Sequence, residues 1–167
     1  MRQAAGAERA VRLSAADRIE LTDLVSRYAA YVDERSPEVP ELFCTDAVLV
    51  MPSPPERLDP VDVHTGRSEI GAALSALDDF PLTRHAITGS VFDPGTHPGT
   101  ATGRVACIAH HLRERAPGEV GNIVWHLHYA DRYVEARAGW LFSRREVHID
   151  WIETGKPRRW RIETETR

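Results

Sequence analysis

Apolar positions recur along this chain first with a helical period and then with the period of strands. Leu21, Leu24, Val25, Tyr28 and Val32 fall on one face of a helix, and Ser14 with Asp17 supplies a capping arrangement at its start. The spacing predicts an amphipathic helix from about Ala15 to Val32. Residues 37 to 43 read as a short second helix, and Ala47 to Met51 as a β-prone run followed by a loop at the turn-rich stretch PSPPERLDP. Ile70, Ala73, Leu74 and Leu77 fit a third helical face that Pro81 ends. From Thr83 the period changes. Residues 84 to 92, 101 to 114, 120 to 136 and 140 to 152 alternate or carry β-branched and aromatic side chains, with breakers between them at 94 to 99, 117 to 118 and 138 to 139. Helices first and strands afterwards is the order of an α+β domain whose three N-terminal helices cover one face of a curved antiparallel sheet.

Successive strand residues point to opposite faces, so parity assigns the histidines to a side. His85 shares its parity with Ile87, Gly89 and Val91 and is expected to point inward. Trp125, Leu127, Tyr129 and Tyr133 form the inner face of the third long strand, against His126, His128 and Arg132; Val147, Ile149 and Trp151 form that of the last. Between residues 101 and 114 parity is weak, because Val105, Cys107, Ala109 and His111 oppose the equally apolar Ile108, His110 and Leu112.

Length and charge bound what this pattern can serve. With 167 residues the chain holds one domain, read as residues 14–155 between a leader at 1–13 and a polar tail at 156–167. A formal charge of -4 with no long basic run argues against nucleic acid as partner. No apolar run approaches the ~18 residues of a membrane span, which points to a cytoplasmic protein. Cys44 and Cys107 are too few for a disulfide scaffold and read as reduced. Eight histidines invite a metal site, the best pattern being His126 with His128 near His110, but no carboxylate follows at the required place and no HExxH is present, so no metal is expected. Nucleophilic-elbow, phosphate-loop and dinucleotide fingerprints are missing as well, which lowers nucleophilic hydrolase, kinase and dehydrogenase readings.

What remains is Asp33, just past the apolar stripe of the first helix, and the inward His85. Helix C-termini disfavour negative charge, and a carboxylate near a core needs a partner; an imidazole would meet both needs. Such a pair leaves the second ring nitrogen free as a base. Periodicity alone leaves open, and favours, a plainer arrangement: an exposed helix-end Asp and a hydrogen-bonded core His.

The ordered segments RYAAYVDERS, ELFCTDAVLVMP, TRHAITG, AHHL, YADRYV and GWLFSRREVHIDW resemble the SnoaL-like branch of the cone-shaped fold shared by nuclear transport factor, ketosteroid isomerase and scytalone dehydratase. The resemblance implies helices packed in the concavity of a strongly curved, mixed sheet. Scytalone dehydratase and the lindane dehydrochlorinase pair an Asp at the end of the first helix with a His on the first long strand, which match Asp33 and His85. A second histidine of the dehydratase matches His111, or His110 by a shift of one residue. Its two tyrosines that hold a water fall on Val32 and Met51, and its Ser and Asn contacts on Leu127 and Tyr129, so that water device is missing and the substrate surface is more apolar. The implied function is cofactor-independent acid/base catalysis on a small hydrophobic or aromatic metabolite, by dehydration or by cyclisation and isomerisation, with His85 as base, Asp33 as its orienting partner and His111 as second proton donor or substrate anchor. Tyr28, Tyr31, Trp125, Tyr129 and Trp151 are wall candidates, for which plain core packing is the other reading. The same fold also serves as a non-catalytic binding or scaffold module and as the structural subunit of ring-hydroxylating dioxygenases. An open pocket holding a paired Asp33 and His85 favours the enzyme; a filled one with Asp33 in solvent favours the others. Members of the fold often pair sheets back to back, which implies a homodimer through the His126, His128 and Arg132 face.

Overall fold

The computed structural model describes residues 12–158; the leader read at 1–13 and the tail at 156–167 lie almost wholly outside them. Helix α1 (Ala15–Asp33) starts where the sequence places it. The Ser14 hydroxyl accepts the Asp17 amide at 3.1 Å while the Asp17 carboxylate accepts the Ser14 amide at 2.7 Å, a reciprocal cap that satisfies two otherwise orphaned N–H groups. The stripe Leu21, Leu24, Val25, Tyr28 and Val32 is buried.

The segment read as a second helix is only a 3-10 turn (Val39–Leu42), with Pro40 inside it unable to donate a helical hydrogen bond. Strand β1 (Phe43–Ser53) follows, and the expected loop gives way after a short turn to a further strand, β2 (Arg57–Thr65), paired antiparallel to β1. Helix α2 (Gly66–Leu74) is shorter than its apolar spacing predicts and continues as a 3-10 turn (Ser75–Asp79). Gly66 opens it with φ +80°, and a Cβ there would meet the Thr45 carbonyl oxygen at 3.2 Å. The four long strands are β3 (Leu82–Pro94), β4 (Thr100–Ala116), β5 (Glu119–Ala136) and β6 (Gly139–Gly155).

The sheet is six-stranded, in the order β2-β1-β6-β5-β4-β3, and mixed: β1 runs parallel to β6 and the other pairs are antiparallel. Among the described residues two α-helices rather than three pack against it, so the α+β architecture stands with a smaller helical layer. Tyr28 of α1 meets Phe43, Tyr129 and Phe142 edge-on, at ring separations of 5.8–6.0 Å, and these rings centre the core.

Bulges overturn parity in two places. In β3 the register slips between Ile87 and Gly89, so Phe92 is buried while Val91, assigned inward above, is 62% exposed. In β6 Ile149 opposes Leu127 and Trp151 opposes His126, leaving Asp150 as the extra residue. Trp151 therefore turns to the outer face, 50% exposed, and Ile152 packs on the core in its stead.

Candidate functional site

Asp33 is the last residue of α1, where the helix dipole opposes a carboxylate, yet its side chain is only 8% exposed. The start of β3 passes beneath the helix end and supplies what the carboxylate lacks. The His85 backbone N–H donates to Oδ2 at 2.8 Å, the Thr83 hydroxyl donates to Oδ1 at 3.0 Å, and Nδ1 of the His85 ring lies 2.7 Å from Oδ1. Burial alone would raise the Asp33 pKa, but the ring and amide of His85, with Thr83, outweigh it and hold the carboxyl below its ordinary value. A carboxylate only accepts, so Nδ1 carries a proton, and in the neutral ring the lone pair is on Nε2.

His85 opens on a cavity of about 390 Å³ between the sheet and α2, large enough for a small organic molecule. Tyr28, Trp125 and Tyr129, expected as walls, line it together with Met51 and Leu127, the positions matched to substrate-side residues of the dehydratase. Leu74, Leu77 and Phe80, from α2 and the turn after it, close it on the other side.

His111 lines the same cavity from β4, its ring perpendicular to that of His85 at 5.8 Å and against Trp125 at 4.6 Å. Its Nδ1 lies 3.3 Å from the Ile123 carbonyl, which only accepts, so the ring proton sits there; Nε2 is buried with no partner among the described residues. Burial first and then the neighbouring His85 push its pKa down to about 4. At neutral pH His111 is thus an uncharged acceptor, which suits the anchor role and not that of second proton donor. His110, the alternative by a one-residue shift, lies outside the cavity lining and pairs with the Asn122 amide at 3.0 Å.

Two expected walls lie elsewhere. Tyr31 borders a separate cavity of about 240 Å³ beyond the end of α1, because a helix turns about 300° over the three residues from Tyr28 and carries Tyr31 past the sheet-facing stripe. Trp151 stacks on His126 at 4.2 Å on the outer face, for the bulge reason given above.

Behind the cavity floor lies an ion pair that sequence reading missed. Arg145 and Asp131 have fully buried side chains; Nε donates to Oδ1 at 2.8 Å and Nη2 to Oδ2 at 2.7 Å. The Arg145 guanidinium lies 4.0–4.1 Å from the ring centres of Tyr28, Tyr129 and Phe142. Burial works against its charge, but Asp131 and the two tyrosines more than compensate and raise its pKa. A signal existed: Arg145 shares parity with the inward Val147 and Ile149, and Asp131 with Leu127 and Tyr129, so two opposite charges fall on inner positions of neighbouring strands.

A sequence model of the SnoaL-like domain matches residues 13–146. The chain belongs to the SnoaL-like family. No match is found among curated proteins. Solved structures show the same fold for this SnoaL-like chain. The Kfla4162 protein of Kribbella flavida is 24% identical with a TM-score of 0.69, covering 83% of this chain and 93% of its own. A protein of Novosphingobium aromaticivorans, provisionally named a scytalone dehydratase, is 21% identical with a TM-score of 0.68, covering 91% and 95%. A type 2 hexachlorocyclohexane dehydrochlorinase, LinA, is 15% identical with a TM-score of 0.72, covering 87% and 93%. Among the described residues, no helix of the SnoaL-like chain is long and apolar enough to cross a membrane. Its outer-face histidines are taken up by stacking, His126 on Trp151 and His128 on His148 at 4.8 Å.

Proposed function

We propose that the cavity is an acid/base site in which Nε2 of His85 removes a proton from carbon or oxygen of a small, largely apolar substrate. The observation that carries this reading is the 2.7 Å contact of His85 Nδ1 with Asp33 Oδ1 at the wall of an open, mostly apolar cavity. Asp33 fixes the ring tautomer and stabilises the imidazolium formed when Nε2 takes the proton. Nε2 of His111 accepts a hydrogen bond from a substrate hydroxyl or N–H group and so sets its orientation. Proton removal next to a carbonyl, followed by return of that proton from the His85 imidazolium to a β-hydroxyl that leaves as water, is a dehydration; return of the same proton to another carbon is an isomerisation. Cyclisation begins with the same step, and the names of the dehydratase and dehydrochlorinase that share this fold lend weight to elimination.

The base can be tested without knowing the natural substrate. In D2O, the protein with 2-tetralone, an aromatic ketone with acidic C–H groups, should catalyse deuterium incorporation next to the carbonyl above the buffer rate, read by NMR. His85→Ala should lose this acceleration while retaining the fold by circular dichroism. Binding of 2-tetralone with no acceleration, or equal acceleration by His85→Ala, refutes the base and moves the weight to a non-catalytic binding module.

A further inference from the structure

Arg35, two residues beyond Asp33, has φ +55°, the left-handed region that helix ends usually give to glycine. Its side chain accounts for the exception. A guanidinium has five N–H groups, and the four on its two terminal nitrogens all have acceptors. Nη1 donates to the Val32 carbonyl at 2.7 Å and to the Thr83 hydroxyl at 2.9 Å. Nη2 donates to the carbonyls of Leu77 at 2.7 Å and Phe80 at 3.0 Å, and Nε lies 3.4 Å from the Asp78 carboxylate. One planar group therefore joins the end of α1, the turn that closes the cavity, and the foot of β3.

The Thr83 contact reaches the proposed base. A hydroxyl has a single hydrogen, and because Arg35 donates into its oxygen, that hydrogen is left for Asp33 Oδ1, 3.0 Å away. The same oxygen accepts Nδ1–H of His85. We propose that Arg35 is a positioning residue that couples the seating of the Ser75–Asp79 turn to the alignment of the Asp33–His85 pair through the Thr83 hydroxyl. When the turn lifts, Nη2 loses both carbonyls, the guanidinium is released and the Thr83 hydroxyl is free to rotate away from Oδ1. A ligand packed against Leu77 and Phe80 holds the turn down and keeps the pair aligned, so that the occupied cavity has a better-oriented base than the empty one. The coupling rests on the base role proposed for His85. Its test reads the pair itself and not turnover, so the two can fail separately.

The ring signals of His85, including Nδ1–H, are followed by NMR in the full chain and assigned by their loss in His85→Ala. Backbone hydrogen exchange of residues 75–80 is measured on the same samples. Arg35→Gln should speed that exchange by about tenfold or more, as charged hydrogen bonds to two carbonyls are lost, and should shift or broaden Nδ1–H. Thr83→Val should move Nδ1–H with the turn still protected, since Arg35 keeps Leu77 and Phe80, and Thr83→Ser should restore the signal. A looser turn with Nδ1–H at its wild-type position and width overturns the coupling and leaves Arg35 a plain clamp. Should Arg35→Gln not fold, Arg35→Lys replaces it, because three donors on one nitrogen cannot span these acceptors. Should neither fold, Thr83→Val decides alone: an unmoved Nδ1–H overturns the proposal.

Discussion

Replacing Asp131 with alanine strands a guanidinium in the core. Arg145 is 0% exposed, and its remaining neighbours are aromatic faces with centres at 4.0–4.1 Å, which attract a cation but do not accept its N–H groups as a carboxylate does. Nη1 already lacks a partner among the described residues, so the change would leave the Nε and Nη2 donors unsatisfied as well. Breaking a buried pair from one side costs roughly 3–5 kcal/mol, a large part of the 5–15 kcal/mol that holds a typical domain together. At about 2–4 °C per kcal/mol for a domain of this size, Asp131→Ala should melt about 6–20 °C lower. Removing both charges should cost far less: Asp131→Leu with Arg145→Met, which fills the space with apolar volume, should fall within about 2 kcal/mol of wild type or above it. Urea unfolding of wild type, Asp131→Leu, Arg145→Met and the double closes a mutant cycle whose coupling term isolates the pair. A loss under about 1 kcal/mol in Asp131→Ala, or a coupling term near zero, would refute the account of Arg145 as a cation that needs its carboxylate.

Other expectations follow from single contacts. The His111 pKa of about 4 lies below the ~6.5 of a free imidazole, so the unfolded chain binds a proton first. The stability this contributes is complete above pH ~6.5 and is lost as pH falls towards 4, by up to about 3 kcal/mol. His111→Phe should flatten the change in urea midpoint between pH 7 and pH 4.5, and equal slopes would count against it. Asp33, whose pKa is lowered, acts at still lower pH, adding stability above the usual carboxylate range that is lost as the group protonates in acid. Asp33→Asn should slow deuterium exchange into 2-tetralone by about 10²-fold or more, since an amide cannot stabilise the imidazolium; a rate within twofold of wild type would remove Asp33 from the chemistry. Trp151→Ala should leave ligand affinity in the cavity unchanged. If the outer face of β5 and β6 joins two chains, the same variant should weaken the dimer seen by sedimentation, whereas a wild-type monomer at micromolar concentration would dispose of that interface.

Elements with a one-sided burial pattern were legible in the sequence. The α1 stripe and the four long strands follow their periods because each buries one face. β2 was not legible: most of its residues are exposed, it pairs only with β1, and a strand at the sheet edge with little to bury carries no alternation. Parity failed at bulges, since an extra residue leaves no mark in composition; Val91 and Trp151 were assigned to the wrong side for that reason. Asp33 and His85 stood out because a helix-end acid and an inward imidazole each lack something the other supplies, but periodicity alone favoured them apart and only the family resemblance drew them together. Thr83 was passed over although it shares His85's parity, and Arg35 was invisible because its acceptors come from segments that only the folded chain brings together.

The division of labour across the sheet bears on how readily this protein could change its ligand. His85 and Thr83 stand on β3, an edge strand, while Leu127, Tyr129 and Val147 of the cavity floor stand on the inner strands β5 and β6. Opposite them α2 offers Ala72 and Ala73, side chains small enough to enlarge and lying outside the Ser75–Asp79 turn that Arg35 ties to the polar cluster. The Asp33–His85 pair and most of the residues that shape the cavity are therefore written in separate stretches of sequence. A lineage, or an engineer, can trade an α2 alanine for a leucine or a floor leucine for an alanine and reshape the accepted molecule while Asp33 and His85 stay as they were.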